Sequence, residues 1–413
     1  MKQNPKYHFQ CTDCGSLYQP DEVQYLCPKC EAQNKEGMPP KGVLKTLYDF
    51  YGLKKGNLTF NSLQKQYFLP LLPITSLESL PNLRVGQTPL YKQDHLEGKK
   101  LPFDLFLKDD AQNPTFSFKD RASAIVSAYA QEQGVDTIVA ASTGNAGSSL
   151  SGICAAQGQK AIILVPESAP VAKLTQILMY GATIVPVQGT YDDAFDLSIK
   201  ATKEFGWYNR NTAYNPMTIE GKKTVSYELF ADLKESIPDR IFVPVGDGVI
   251  ISGVYKGFED LLKLGIIAKM PTIVAVQSKG SDNLVRNINK DLFVVEVSNT
   301  LADSISVDIP RNFYMAQQFI NTYKGEILAV EDTEIVKASG ILSKNTGIFS
   351  EPAAATAFAG FLSYYDEHKI SDNSKNVVLL TGSGLKDLKA VQQLIRIPKA
   401  IKPRIEELKK LTQ

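Results

Sequence analysis

From about Leu105 to Gly382, short Val/Ile-rich runs alternate with helical patterns, and this alternation limits the folds open to the chain. "DLFLKD", "TIVAAST" (Thr137 to Thr143), "KAIILVP", "ATIVPVQG", "RIFVPVG" (Arg240 to Gly246), "TIVAVQS" (Thr272 to Ser278) and "NVVLLTG" (Asn376 to Gly382) read as strands buried on both faces. Helices are predicted between them, among them Ser117 to Gln133 with Gly134 as its stop, Asn145 to Gln157, Ala172 to Tyr180 and Tyr191 to Phe205. Buried strands joined by helices form parallel sheets in βα units, so the fold class is α/β. The pattern divides into one unit at 86–206 and a second at 207–413 that recruits 41–85. In such folds ligands bind beyond the carboxyl ends of the strands, where the following loops meet.

The loops at those strand ends carry the chemistry. In "NPTFSFKDRA" (Asn113 to Ala122), Ser117 followed by Asp120 reads as a helix cap, which puts Lys119 in the first turn. The positive end of the helix dipole and burial both disfavour an ammonium there, and a neutral amine attacks carbonyls. Taken alone, such a lysine is more often a solvated charge balanced by its neighbour Asp120. "ASTGNAG" (Ala141 to Gly147) offers small residues, free N–H groups and Asn145, which both donates and accepts. "PVGDGVIISGVYKG" (Pro244 to Gly257) resembles an anion cradle of backbone amides, without the pattern of a nucleotide-binding loop. Asp247 is expected to turn its carboxylate away from any phosphate held there. Thr381 in "LLTGSGLKD" suits a ring nitrogen as a neutral hydroxyl partner. Glu351 in "GIFSEPAAAT" is expected to favour a helix N-terminus more than to face a ligand.

Near the N-terminus, "CTDCGSLYQPDEVQYLCPKC" holds Cys11, Cys14, Cys27 and Cys30 as two C-x2-C knuckles. Four thiolates at this spacing form a tetrahedral site for zinc, or for iron in a rubredoxin-like setting. With no His or carboxylate to complete an open site, a structural zinc is the expectation for a ribbon-like segment at 1–40. Cys154 reads as a packed thiol on an apolar helix. A net charge of +1 and the lack of a basic, aromatic-laced stripe argue against a nucleic-acid partner. No apolar run reaches membrane-spanning length, and "MKQNPKYHFQ" is not a secretory signal, so a cytoplasmic address is expected.

"GQTPLYK", "NPTFSFKDRA", "STGNAG", "AKLTQILMYGA", "GTYDDAF", "YNPMTIEGKKT", "GIFSEPAAA" and "TGSGLKD" occur in one order. Together they resemble the fold type II pyridoxal-phosphate enzymes, and within them the threonine synthases. The resemblance implies two three-layer α/β domains of the tryptophan synthase β kind, pyridoxal 5'-phosphate as cofactor and a homodimer. It implies that Lys119 holds the cofactor as a Schiff base and moves protons, with Phe118 packed near the ring and Asn145 bonded to its phenolic oxygen. Ser142, Thr143 and Gly144 would receive the substrate carboxylate. Gly246, Asp247, Gly248, Val249 and Ile250 would bind the cofactor phosphate, and Thr381 the ring nitrogen. The implied reaction converts O-phosphohomoserine and water to threonine and phosphate. Lys108, Arg121 and Lys173 are candidate cations for the substrate phosphate. The chain departs from the family pattern at Ala146, where a hydroxyl residue is usual, at Phe116, where glycine is frequent, and in the "GDGVI" turn. A serine or threonine ammonia-lyase, a cysteate synthase-like enzyme, and a catalytically dead scaffold with a zinc-ribbon adaptor therefore stay open.

Overall fold

The computed structural model describes residues 5–56 and 58–411 of the chain. Close to the N-terminus, β1 (Tyr7–Cys11), β2 (Leu17–Tyr18) and β3 (Leu44–Tyr48) pair antiparallel in the order β2-β1-β3. The chain continues through β4 (Leu90–Leu96) and β5 (Lys99–Asp109). It then builds a four-stranded parallel sheet from β6 (Thr137–Ala141), β7 (Lys160–Pro166), β8 (Thr183–Val187) and β9 (Tyr208–Asn209), ordered β8-β7-β6-β9. Finally β10 (Arg240–Pro244), β11 (Thr272–Ser278), β12 (Glu326–Val330) and β13 (Lys375–Leu380) join β5 and β4 in the order β12-β11-β10-β13-β5-β4. Only the β4–β5 pair of that six-stranded sheet is antiparallel. The α/β class holds, with helices packed over both larger sheets. No helix among the described residues is long and apolar enough to cross a membrane.

Two expected boundaries differ from this topology. β4 and β5 were expected in the 86–206 unit, yet they sit in the six-stranded sheet, where β5 pairs with β13 from Lys375↔Asp104 to Leu380↔Asp109. The chain therefore lays two strands in the larger sheet before it crosses to the smaller one. Likewise β3 was assigned with 41–85 to the second unit, yet it pairs along its whole length with β1 and completes the N-terminal sheet. Apolar alternation identifies a strand but not its hydrogen-bonded neighbour, and both shifts have that cause.

The expected cap also moves. The helix after "NPTFSF" is Lys119–Glu132, with Phe118 as its N-cap residue and no side-chain cap. Ser117 forms a bridge to Gly382, and its buried hydroxyl has no partner. Asp120 turns back to accept from Thr115 N–H (2.7 Å) and Thr115 Oγ1 (2.5 Å), closing the loop ahead of the helix. Within that loop Phe116 has φ +68°, the left-handed conformation that glycine adopts at no steric cost.

Beneath the site lies a buried ionic network. Tyr48 Oη donates to Glu220 Oε2 (2.6 Å), and Glu220 pairs with Lys223. Lys223 Nζ reaches Asp260 Oδ2 (2.9 Å), Tyr227 Oη donates to the same carboxylate (2.7 Å), and Lys256 takes the other oxygen. Burial pushes the Asp260 carboxyl up, but the ammonium groups of Lys223 and Lys256 outweigh it and hold the carboxyl at about 2. Removing this carboxylate with Asp260→Ala leaves the buried Lys256 ammonium without its bonded carboxylate and Lys223 with Glu220 alone, and should cost about 3–5 kcal/mol. Urea unfolding of variant against wild type measures that loss.

Candidate active site

The loops after β6, β9 and β10 converge on a cavity of about 620 Å³. Its walls include Lys119, Ser142 to Ala146, Arg210, Thr212, Lys222 and Gly246 to Ile251. Of the expected site residues, Lys119, Ser142, Thr143, Gly144, Asn145, Gly246, Asp247, Gly248, Val249 and Ile250 all reach it. Phe118 does not line it; the ring is fully buried, and its N–H donates to the Thr381 carbonyl (2.9 Å). Thr381 belongs to the wall behind the lining residues, where the next residue, Gly382, meets Glu351. A Cβ on Gly382 would stand 2.4 Å from Glu351 Oε1, so a side chain there would displace that carboxylate.

Lys119 starts its helix with no bonded carboxylate. Burial and then the Arg210 charge lower its pKa, against the pull of Asp247 and Glu351. The direction is the one expected from burial, and Arg210 adds to it. Across the cavity Gly248 has φ +84° and precedes the helix Val249–Leu264. The N–H groups of Gly248, Val249 and Ile250 find no backbone acceptor among the described residues, so the helix start presents free donors to an anion. Asp247 is drawn off as expected: its Oδ1 accepts from the Arg311 N–H (3.2 Å).

Two residues that sequence reasoning left unnamed, Arg210 and Lys222, complete the site together with Glu351. Arg210 is fully buried; Nε donates to Ser123 Oγ (3.2 Å), Nη1 to Thr212 Oγ1 (3.4 Å), and Nη2 has no partner. Burial lowers its pKa to about 10. Lys222 is also fully buried, with only a long contact to Thr212 Oγ1 (3.5 Å). Burial first, then the charges of Lys119 and Arg210, drive its pKa well down. Neither forms an ion pair among the described residues. Glu351 precedes the helix Pro352–Asp366 but does not cap it with its side chain. Its carboxylate instead accepts from Asn145 Nδ2 at 2.9 and 3.1 Å, and burial raises its pKa. The expectation that Glu351 mainly favours a helix start is therefore corrected. The bond to Glu351 fixes which end of the Asn145 amide is the donor, and the same Nδ2 also donates to Ser304 Oγ (3.2 Å).

The proposed substrate cations divide. Lys108 bonds Asp232 (2.9 Å) and Glu228 (3.0 Å), and Arg121 bonds Asp110 (2.6 Å) and Glu228 (2.6 Å). Both are structural and lie outside the cavity lining. Lys173 pairs with Asp303 (2.8 Å) at the cavity mouth. The segment carrying Lys222 is pressed between two elements. A Cβ on Gly221 would lie 2.0 Å from the Arg121 carbonyl oxygen, and one on Gly253 would lie 2.6 Å from Lys222 Cβ.

A cavity holding an unpaired amine, a helix start and unpaired buried cations suits a phosphorylated aldehyde cofactor. The chain matches the model of the "Pyridoxal-phosphate dependent enzyme" family over residues 82–382. The protein belongs to that family. It is 34% identical to the threonine synthase of Methanocaldococcus jannaschii, over 94% of this chain and 96% of that protein. It is 33% identical to the threonine synthase of Methanosarcina acetivorans, over 98% of each. Among solved structures it resembles the processed threonine deaminase isoform 2 of Solanum lycopersicum (TM-score 0.67, 22% identity, 80% of this chain and 92% of that one). It also resembles maize serine racemase (TM-score 0.64, 25% identity, 80% and 95%). The two larger α/β units are thus those of this enzyme fold.

The cysteines form a second site. The Cys11–Cys30 and Cys14–Cys27 Sγ pairs are each 3.7 Å apart, and all four sulfurs lie within 4.8 Å of one another. That is too long for a disulfide and close to the ~3.8 Å edge of a tetrahedron with 2.3 Å metal–sulfur bonds. Cys154 is buried on its helix, as expected.

Replacing Lys222 with methionine tests the cationic wall. Lys222 has a folded pKa below the ordinary 10.5, so unfolding takes up a proton over the intervening pH range. Wild-type stability from this group therefore rises with pH across that range. Lys222→Met should raise stability at neutral pH by about 1–4 kcal/mol and flatten this rise, while weakening anion binding. Denaturant titrations at several pH values, with and without phosphate, check both halves.

Proposed function

We propose that the protein is a threonine synthase, converting O-phosphohomoserine and water to threonine and phosphate. The observation that carries this reading is the cavity's cationic wall: Lys119, Arg210 and Lys222 line it, with no carboxylate bonded to any of them. The helix start at Gly248 to Ile250 suits the cofactor phosphate. That leaves Arg210, Lys222 and the Thr212 hydroxyl for a second phosphoryl group, the one the substrate brings. The curated relatives above carry the same activity in their names.

When bound, pyridoxal phosphate supplies an electron sink that acidifies the carbons next to the substrate nitrogen. The chain's own residues do the rest. Lys119 would be the attachment point and, with its pKa lowered by burial, would take and return protons at the α and β carbons. Arg210 and Lys222 hold the substrate phosphate and stabilise its negative charge as it departs from the γ carbon. Ser142, Thr143 and Gly144 orient the substrate carboxylate. Asn145, bonded to Glu351, would face the phenolic oxygen, and Thr381, behind the lining residues, would be the hydroxyl offered to the ring nitrogen. Phe118 supports this wall from beneath Lys119.

Ala146 favours a second reading, elimination or replacement at the β carbon of an unphosphorylated amino acid, because no hydroxyl stands there to aid water addition. Such a substrate would leave Arg210 and Lys222 without a counter-charge, so the first reading stands ahead. An adaptor role for a dead scaffold would leave the poised Lys119 without use. We assign the four-cysteine site to a structural zinc. A homodimer is supported by aliphatic side chains left exposed in the C-terminal arm, Leu385, Ile395, Ile397 and Ile405.

The holoenzyme should release phosphate from O-phosphohomoserine with threonine as the product. Ketoacid formation from serine or threonine without phosphate release would overturn the reading. Borohydride reduction should leave a pyridoxyl group on Lys119, read by peptide mass spectrometry. Lys119→Ala should lower kcat by roughly 10³-fold or more.

A further inference from the structure

β9 is the short edge strand of the four-stranded sheet, and the residues after it carry the cationic wall. Arg210 donates its N–H inward to the Val139 carbonyl (2.8 Å), so the N–H of Asn209 points off the sheet edge. An open edge donor is ordinarily left to water. Here it donates to Tyr25 Oη at 2.9 Å. Tyr25 comes from the cysteine segment, two residues before Cys27. Its ring stacks on Tyr214 at 4.5 Å and 18°, and lies 5.9 Å from the Tyr208 ring. One side chain thus grips both ends of the loop that holds Arg210 and Thr212.

That loop is otherwise fastened from within. Asn209 Oδ1 accepts from the Asn211 N–H (2.7 Å), and Asn215 Nδ2 donates to the Asn209 carbonyl (2.7 Å). Asn211 Oδ1 accepts from the Ala141 N–H (2.8 Å), beside Ser142. These bonds make the loop a rigid piece, so a shift at Asn209 carries Arg210 with it. Other ties dock the cysteine segment to the same body: Lys45 pairs with Glu259 (2.7 Å), and Gln318 Nε2 donates to the Thr12 carbonyl (2.6 Å).

We propose that Tyr25 is a positioning residue for the phosphoryl subsite, through which the cysteine segment holds Arg210 and Thr212 in place against the cavity. This rests on the reading of Arg210, Thr212 and Lys222 as the substrate-phosphate contacts. The thiolate knuckle is then a buttress for substrate binding in addition to a local fold stabiliser. Mispositioning Arg210 weakens phosphate recognition while Lys119 and the turn at Gly248 stay where they are.

The test uses the cofactor-loaded enzyme and Tyr25→Phe, which removes the acceptor oxygen and keeps the ring. Calorimetric titration with inorganic phosphate should show binding weakened about three- to tenfold, the scale of one lost hydrogen bond. kcat/KM for O-phosphohomoserine should fall by a similar factor, with the cofactor content and absorbance spectrum unchanged. Tyr214→Leu, which removes the stacking partner from the loop itself, should give the same split. Unchanged phosphate binding in both variants, with only a lowered Tm, would overturn the proposal and leave Tyr25 a structural residue. Equal loss of kcat and cofactor content would also overturn it. Phosphate titration needs no turnover, so a wild-type enzyme that binds phosphate but rejects O-phosphohomoserine would fail the functional reading and leave this result to be read on its own.

Discussion

Taking cations out of water without giving them carboxylates is the constraint around which this molecule is arranged. Elsewhere among the described residues, the fully buried cations are paired with carboxylates: Arg121 with Asp110 and Glu228, Lys108 with Asp232, Lys223 and Lys256 with Asp260. At the cavity that rule is broken for Lys119, Arg210 and Lys222. Charged groups left so in a low-dielectric setting raise the energy of the empty protein and make an arriving dianion correspondingly welcome. The same desolvation lowers the Lys119 pKa, which the role proposed for that amine requires. A cost to stability and a capacity for chemistry therefore share one physical origin.

Such a site needs stiff surroundings. The six-stranded sheet and the four-stranded sheet point their carboxyl-end loops at one cavity, so backbone N–H groups, the amine and the guanidinium come from separate elements. Glycines let the elements approach closely where Lys222 sits. Below it, the network joining Tyr48, Glu220, Lys223, Asp260 and Lys256 ties the N-terminal sheet to the helices behind the cavity. On the far side of the large sheet, Phe242 packs edge-on against Phe361 and Tyr364, holding β10 beneath its loop.

What was legible in the sequence follows from this layout. Strand-to-loop transitions are local, so Lys119, Asn145 and the turn at Gly246 to Ile250 could be placed on one cavity from pattern alone. The left-handed φ of Phe116 is one that glycine adopts without steric cost, so the departure expected at that position has a local backbone meaning. Partnerships across long separations were not legible. Lys108 meets Asp232 at a separation of 124 residues, and Arg121 meets Glu228 at 107, so both looked free and were not. Arg210 and Lys222 looked like ordinary charges for the converse reason, since nothing in "NRNTA" or "EGKKT" announces that no acid stands opposite. Strand partners were hidden in the same way, which is why β3, β4 and β5 were assigned to the wrong neighbours.

The adjacent residues Lys222 and Lys223 face opposite ways, one into the cavity and the next into the carboxylates of the core. Each is suited only to its own side. Turning the helical segment by one position would bring one lysine into the other's place and, in one direction, press the second into the position of Gly221, where a Cβ falls 2.0 Å from the Arg121 carbonyl oxygen. The doublet therefore acts as a phase marker: an insertion or deletion in "MTIEGKK" would be rejected by charge placement and by the close fit at Gly221, while a lone lysine could drift.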